Sequence, residues 1–336
     1  MPVLQLPLNT ISHQELQHVI SPEQALNTSL LACSFSGEQL TLTKTELNQS
    51  TVELVVLGDI TIACLQAIIH QCQLTTPVLT AINFRNDRYS YRFKVICHEL
   101  QAARQMLANL ALTHSFDAAL IDNAPKLALP GLLVMDMDST TIKIECIDEI
   151  ATLAGVGEQV AEVTELAMQG ELDFAQSLHQ RVATLANAPE TILATVAKNI
   201  PLMEGLETLV TILKQHNWRI AIASGGFTYF AEHLQQMLAL DDVRANVLEI
   251  NNGVLTGKVL GDVVDAQAKA NCLVELQKQY QLSPQQTVAM GDGANDLIMM
   301  NAASLGVAFH AKPLVLKQAD CAINYNGLDC LLHWLA

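Results

Sequence analysis

The chain has 336 residues, half of them hydrophobic, and a net charge of −16. That length suggests about two domains with ample core material, while the acidic balance argues against a nucleic-acid partner, whose phosphates demand clustered Lys and Arg. No run reaches the ~20 apolar residues that span a bilayer, and Met1-Pro2-Val3-Leu4-Gln5 lacks the basic start of a signal peptide, so a cytoplasmic protein with no membrane partner is expected. A small phosphorylated substrate stays open, because a few local cations and a bound metal hold one phosphate even in an acidic protein.

The first fifty residues mix short apolar runs with Ser, Thr, Asn and Gln and give no clear element. Leu54-Val55-Val56-Leu57 then reads as a buried strand closed by Gly58-Asp59. A helix is expected over 60–72, strands over 78–84 and 89–97 around the polar turn Arg85-Asn86-Asp87, and a helix over 99–112. This order is that of a small α+β domain. Asp122-Asn123-Ala124-Pro125 and Pro130 mark a looser stretch, which divides the chain into domains at 1–125 and 126–336. Beyond it, strand candidates at 131–135, 218–223, 286–290, 304–308 and 321–324 alternate with helices. Such alternation predicts an α/β fold, a mostly parallel sheet with helices on both faces and its ligand at the carboxyl ends of the strands. About 80 residues separate the first two of these strands, too many for an ordinary crossover. Their helical pattern, over about 145–200, predicts a cap above the strand ends. A hairpin is expected over 245–260, turning at Asn251-Asn252-Gly253. The eight cysteines form no CxxC pair, and most stand in apolar runs such as Ile62-Ala63-Cys64-Leu65. They read as buried free thiols.

Chemistry-bearing residues gather where these strands end. Leu132-Leu133-Val134-Met135 runs into Asp136-Met137-Asp138-Ser139-Thr140. On an extended backbone Asp136 and Asp138 point to one side, and close carboxylates require a cation or a shared proton. A solvated turn with two surface aspartates fits the pair equally well. The second strand runs into Ser224-Gly225-Gly226 before a helix that begins near Phe227. This is either a phosphate cradle of exposed N–H groups or an ordinary glycine turn with an N-cap. The third ends in Gly291-Asp292-Gly293-Ala294-Asn295-Asp296. Asp292 is a candidate ligand for a hard cation, Asp296 a second ligand or its support, and the spacing does not fit a calcium-binding EF-hand. Lys269, early in a helix, gains meaning only if it faces a phosphate that needs a fixed positive charge. Nucleophile, Mg²⁺ ligands, phosphate donors and a proton donor together are what phosphoryl transfer requires.

DxDxT at Asp136, Asp138 and Thr140, the strand-end Ser224, Lys269 and the run GDGxND resemble the four motifs of the haloacid dehalogenase superfamily of phosphotransferases, over about 131–325. Within it the sequence is similar to the phosphoserine phosphatase family. The resemblance implies a Rossmann-like core with a helical cap and a Mg²⁺-dependent hydrolysis of O-phospho-L-serine, the last step of serine biosynthesis. In that reading Asp136 is the nucleophile and Asp138 the general acid and base. Asp136, Asp292 and the backbone carbonyl of Asp138 hold the metal. Ser224, Gly225, Gly226, Lys269 and Asn295 hold the phosphate, with Thr140 and Asp296 as a supporting shell. Glu145 would meet the substrate ammonium and Arg181 its carboxylate. Met168 and Phe174 would line the apolar side of the pocket, although ordinary cap core fits both. The first domain resembles the amino-acid-binding ACT domains, which implies serine sensing, dimerisation into a homodimer or simple stabilisation. Its ligand turn lacks the expected Pro-Gly after Gly58-Asp59. Two other readings are a phosphatase or phosphotransferase for another small ester, and a serine-binding regulator without turnover. His310 reads as a capped or surface histidine.

Overall fold

The computed structural model describes residues 4–7, 30–36, 39–45, 49–58, 61–168 and 171–336. The first sheet is built from β1 (Leu4–Pro7), β2 (Leu30–Ser36), β3 (Gln39–Thr45), β4 (Val52–Leu57), β5 (Thr75–Arg85), β6 (Arg88–Ile96) and β7 (Ala118–Asp122). Helix α1 (Ile62–Gln71) follows β4, and α2 (Leu100–His114) follows β6. Its strand order is β1-β3-β2-β5-β6-β4-β7, so β4-α1-β5-β6-α2-β7 is a βαββαβ unit extended by a further edge. Alternation explains why β4 reads as one unbroken apolar run. Leu54 and Val56 face the α1 and α2 side with Leu65, Ile68, Leu107 and Leu110. Val55 and Leu57 join Ala119 and Ile121 in the core of the second sheet. Four strands differ from expectation. The strands β1 to β3 lie in a stretch that gave no reading, and 118–122, to which the sequence assigns no element, is a strand paired with β4 from Val52–Asp122 to Val56–Ala118. The breaker cluster Asp122-Asn123-Ala124-Pro125 masked it. Of the turn expected to carry a ligand, Gly58 sits at φ +77, and Asp59 lies outside the described residues.

The second sheet has the order β11-β10-β9-β8-β12-β13-β14. Strand β8 (Leu132–Met135) leads into α3 (Cys146–Ala154), α4 (Gly157–Met168), α5 (Phe174–Thr184) and α6 (Thr191–Lys198), and α7 (Leu206–Gln215) returns the chain to β9 (Arg219–Phe227). Then come α8 (Thr228–Leu238), β10 (Asp242–Asn251), β11 (Val254–Leu260), α9 (Ala266–Gln279), β12 (Thr287–Gly291), α10 (Leu297–Ala302), β13 (Leu305–Phe309), α11 (Pro313–Gln318), β14 (Cys321–Ile323) and α12 (Leu331–Trp334). β10 and β11 pair antiparallel, whereas β8 pairs parallel with β9 and β12 on its two sides. The strand order reverses at β8, the position at which open α/β sheets bind ligands. Leu132, Leu133, Val134 and Met135 are fully buried, as a strand covered on both faces must be. Asn252 and Gly253, at φ +49 and +78, make the hairpin turn.

The two chain connections of α3–α6 pair with each other. Lys143 N–H donates to Pro201 O at 3.0 Å and Met203 N–H to Thr141 O at 2.9 Å. Helix α5 starts on a capping box in which Asp173 Oδ1 accepts Gln176 N–H at 2.8 Å and Gln176 Oε1 accepts Asp173 N–H at 3.1 Å. The β10–β11 turn also grips this region: Asn187 N–H donates to Leu255 O at 2.8 Å and Glu190 N–H to Gly253 O at 2.9 Å. Among the described residues no helix is long and apolar enough to cross a membrane.

The chain terminus locks the first sheet to the second. Arg92, on β6, pairs with Glu53 and donates to the carbonyls of His333, Trp334 and Leu335 at 3.0, 3.2 and 2.8 Å. Its guanidinium satisfies the open end of α12. His333, 1% exposed, accepts the Ser90 hydroxyl at Nδ1 (2.9 Å) and donates from Nε2 to Arg85 O (3.1 Å). Burial, with Arg85, Arg88 and Arg92 nearby, lowers its pKa from 6.5 to about 4. A depressed folded-state value means that stability is complete above pH 6.5 and is lost as pH falls toward 4. The expected loss is about 3 kcal/mol. Urea titrations between these limits measure it, and His333→Gln should flatten that part of the profile. An equally steep fall in the variant would show that His333 is not its source.

Candidate active site

Register brings the predicted residues together. Met135 pairs with Ile222 on one side and Met290 on the other, so Asp136, Ser224 and Asp292 emerge side by side. Asp136 extends the ladder by one bond, its N–H donating to Met290 O at 2.9 Å. Its Oδ1 accepts Met137 N–H at 2.7 Å and pairs with Lys269 Nζ at 2.9 Å. Among the described residues Oδ2 has no hydrogen-bond partner. Asp136 is 6% exposed and Lys269 fully buried.

Lys269 reaches the floor from the first turn of α9. That helix is capped by Asp265, whose Oδ1 accepts Ala268 N–H at 2.8 Å. The ammonium also meets Asp296 Oδ1 at 2.7 Å. Burial alone would lower its pKa, but the Asp136 and Asp296 carboxylates outweigh that and hold it above the usual lysine range. Asp296 Oδ2 accepts Gly293 N–H at 3.0 Å, so both its oxygens are engaged. Asp292 receives Thr140 Oγ1 at a long 3.5 Å. Its pKa is raised by burial and by Asp136, and Lys312 and Lys269 oppose the rise.

Asp136, Asp292 and Asp296 each bring one carboxylate oxygen within 4.8 Å of the others. Two carboxylates already face one ammonium, so the third leaves excess negative charge that a cation relieves. The donors are all carboxylate oxygens, with no His or Cys, and suit a hard divalent ion rather than zinc. Because the Asp296 oxygens are taken by Lys269 and Gly293, Asp136 and Asp292 are the better placed pair.

Above this floor lies a cavity of about 190 Å³ lined by Asp136, Asp138, Glu145, Phe174, Arg181, Ser224, Gly225, Gly226, Asp292 and Asn295. Lys269, Thr140 and Asp296 do not line it but touch residues that do or each other, Lys269 meeting Asp136 and Asp296 and Thr140 meeting Asp292. Asp138 Oδ1 accepts Cys146 N–H at 3.2 Å. Burial, then Glu145 and Asp136, push its pKa from 3.8 to about 8. Glu145 Oε1 accepts Ser139 Oγ–H at 2.7 Å, and Ser139 has a left-handed φ of +57. The Arg181 pKa is lowered by burial against the pull of Asp148, Glu145 and Asp138. Among the described residues its buried Nε has no hydrogen-bond partner. Both glycines of the cradle are needed for close approach. A Cβ on Gly225 would lie 2.5 Å from Phe174 Cζ, and one on Gly226 2.7 Å from Asp138 Oδ2. The cradle differs from expectation in one respect. Ser224-Gly225-Gly226 belongs to β9, which runs on to Phe227, while α8 begins at Thr228 with Phe227 as its N-cap, as expected.

Met168 ends α4, and its side chain lies outside the described residues. The sequence reading missed Ile147, Leu178, Phe227, Gly293 and Lys312, which complete the lining. Leu178 was within reach, since 174, 178 and 181 share one helical face. Lys312 follows the fourth strand end, where His310 drew attention instead. His310 Nε2 lies 3.0 Å from Asn326 O, and its ring stacks on Phe309 at 4.2 Å.

Comparison with known proteins agrees with this geometry. A haloacid dehalogenase-like hydrolase model matches residues 131–304. A phosphoserine phosphatase of Vibrio cholerae is 59% identical over 269 residues, covering 76% of this chain and 82% of that protein. One of Haemophilus influenzae is 57% identical over 220 residues, covering 66% and 70%. The unliganded crystal structure of a probable phosphoserine phosphatase from Vibrio cholerae superposes with a TM-score of 0.73 at 45% identity, covering 87% of this chain and 88% of that one. By motif geometry, matched span and similarity alike, the chain belongs to the haloacid dehalogenase-like hydrolases.

Proposed function

We propose that this chain is a Mg²⁺-dependent phosphoserine phosphatase, hydrolysing O-phospho-L-serine to serine and phosphate. The observation that carries the reading is the polarity of one cavity. Its floor offers Asp136 and the Ser224 cradle, and its other side offers Glu145 beside the unpaired Arg181 Nε. A phosphate fits the first end, and an ammonium with a carboxylate fits the second. The names of the relatives in Vibrio and Haemophilus support the same substrate.

Lys269 and the Met137 N–H fix Asp136 through Oδ1, which leaves Oδ2 to attack phosphorus. The phosphorus–oxygen bond to serine breaks, and an aspartyl phosphate forms. Asp138, held near pKa 8, is protonated at neutral pH and gives its proton to the departing serine oxygen. It then takes a proton from water as that water attacks phosphorus, and Asp136 is regenerated. Ser224 Oγ, Gly225-Gly226 and Asn295 hold the phosphate oxygens, with Lys269 as the fixed charge. Mg²⁺ would sit on Asp136, Asp292 and the Asp138 carbonyl, where it supplies neutralising charge for the phosphoryl group. Arg181 and Glu145 orient the amino acid, and Phe174 covers it. The βαββαβ order of the first sheet supports an ACT-like regulatory or dimerisation domain over about residues 1–125, ahead of a capped catalytic domain.

Phosphate release from phosphoserine, sugar phosphates and nucleotides, with and without EDTA, tests this reading. Phosphoserine should be preferred, and EDTA should abolish release. Arg181→Ala should raise KM for phosphoserine about 10- to 100-fold, the cost of a charged hydrogen bond. It should leave p-nitrophenyl phosphate, which lacks a carboxylate, unchanged. A preference for another ester, indifferent to Arg181, would replace phosphoserine as the substrate.

A further inference from the structure

We propose that Asn246 is a positioning residue for the phosphate end of the pocket, holding the Gly225–Gly226 peptide and the entry to the Lys269 helix with one side-chain amide. The inference rests on the phosphatase reading above and deepens it. Asn246 lies on β10 and is 1% exposed. Asparagine is disfavoured inside strands, and a buried amide is costly unless its donors and acceptor are matched.

The register shows what the residue is for. Arg244 pairs with Ala223, but Asn246 pairs with Phe227. Two steps along β10 therefore span four along β9, and the surplus falls on Ser224-Gly225-Gly226. The phosphate cradle is the bulged stretch of β9, where peptide groups leave the ladder and are re-aimed. Asn246 replaces the missing ladder contact. Its Nδ2 donates to Gly225 O at 2.8 Å. The peptide is planar and trans, so fixing that C=O turns the Gly226 N–H to the opposite side. There it donates to Ser224 Oγ at 2.9 Å, leaving the serine hydroxyl proton for a phosphate oxygen.

The other end of the amide acts on Lys269. Asn246 Oδ1 accepts Val264 N–H at 2.8 Å. Val264 precedes Asp265, the N-cap of α9, whose carbonyl accepts Lys269 N–H at 3.0 Å. Only one amide orientation serves both partners, since a flip would set NH₂ against N–H and oxygen against oxygen. One buried side chain thus ties the hydroxyl cradle to the helix that delivers the ammonium. No sequence motif marks it.

Two full-length variants test the proposal. Asn246→Asp keeps an acceptor for Val264 but sets a carboxylate oxygen against Gly225 O. Asn246→Ala removes both bonds. In both, kcat for phosphoserine should fall about 100-fold, the effect of misplacing a reacting group. The inhibition constant of inorganic phosphate should rise about tenfold, while that of L-serine, held at the Arg181 end, stays at the wild-type value. Circular dichroism and melting curves verify folding at the assay temperature. Unchanged phosphate inhibition, equal weakening of serine and phosphate, or failure of both variants to fold in the cold would each overturn the proposal. If the wild-type chain itself released no phosphate from phosphoserine, the phosphatase reading would fall instead. Calorimetric phosphate binding by wild type and variants would then still decide the role of Asn246.

Discussion

Asp136→Asn is expected to remove phosphate release almost completely, with kcat lower by a factor on the order of 10⁴ to 10⁶, as when a nucleophile is deleted. The geometry separates chemistry from folding here. Asp136 Oδ1 carries both structural contacts, from the Met137 N–H and Lys269. An asparagine oxygen in that place keeps both. The amide nitrogen then replaces Oδ2, the oxygen without a partner, and an amide nitrogen has no lone pair to offer phosphorus. Lys269 still faces Asp296 at 2.7 Å, so the melting temperature should change little. Steady-state phosphate release and a thermal scan on one preparation check both halves. Turnover near the wild-type rate would show that another group attacks, and the aspartyl-phosphate route would have to be abandoned.

The contrast between what the sequence disclosed and what it withheld has physical causes. Asp136, Ser224 and Asp292 were legible because each stands where an apolar run stops, whereas Lys269 gained its meaning only from the motif resemblance. The parallel sheet then requires those ends to meet. Glu145 and Arg181 were legible only through resemblance, since an acid and a base on helices are ordinarily solvated. The first sheet was half legible. Its β4-α1-β5-β6-α2 order shows in the pattern, but β7 is five residues ending at Asp122 beside a breaker cluster. Asn246 was not legible at all. Its role follows from a bulge, and a bulge is a relation between two strands that neither strand's pattern reveals. The same is true of the Arg92 contacts to His333, Trp334 and Leu335, which join residues some 240 positions apart. Local patterning reports what a segment buries, not which distant carbonyl its polar atoms will meet.

Lys269→Met should injure both stability and catalysis, and a second substitution should pull the two apart. The ammonium is buried between Asp136 at 2.9 Å and Asp296 at 2.7 Å. Methionine fills a similar volume without charge, so two buried carboxylates are left facing each other. Breaking a buried pair by removing one partner costs about 3–5 kcal/mol. Loss of a fixed charge aimed at the phosphoryl group lowers kcat about 10²- to 10³-fold. Adding Asp296→Asn removes the uncompensated charge and keeps an oxygen for the Gly293 N–H, which Asp296 Oδ2 accepts at 3.0 Å. The double variant should therefore recover most of the lost melting temperature and none of the lost kcat. Such non-additivity is what contacting residues in one network produce. If the double variant regained activity in step with stability, Lys269 would be a structural counter-ion only. If it regained neither, the repulsion between Asp136 and Asp296 would not be the source of the instability. The ammonium matters to catalysis only if its charge is needed after its structural task has been given to another group.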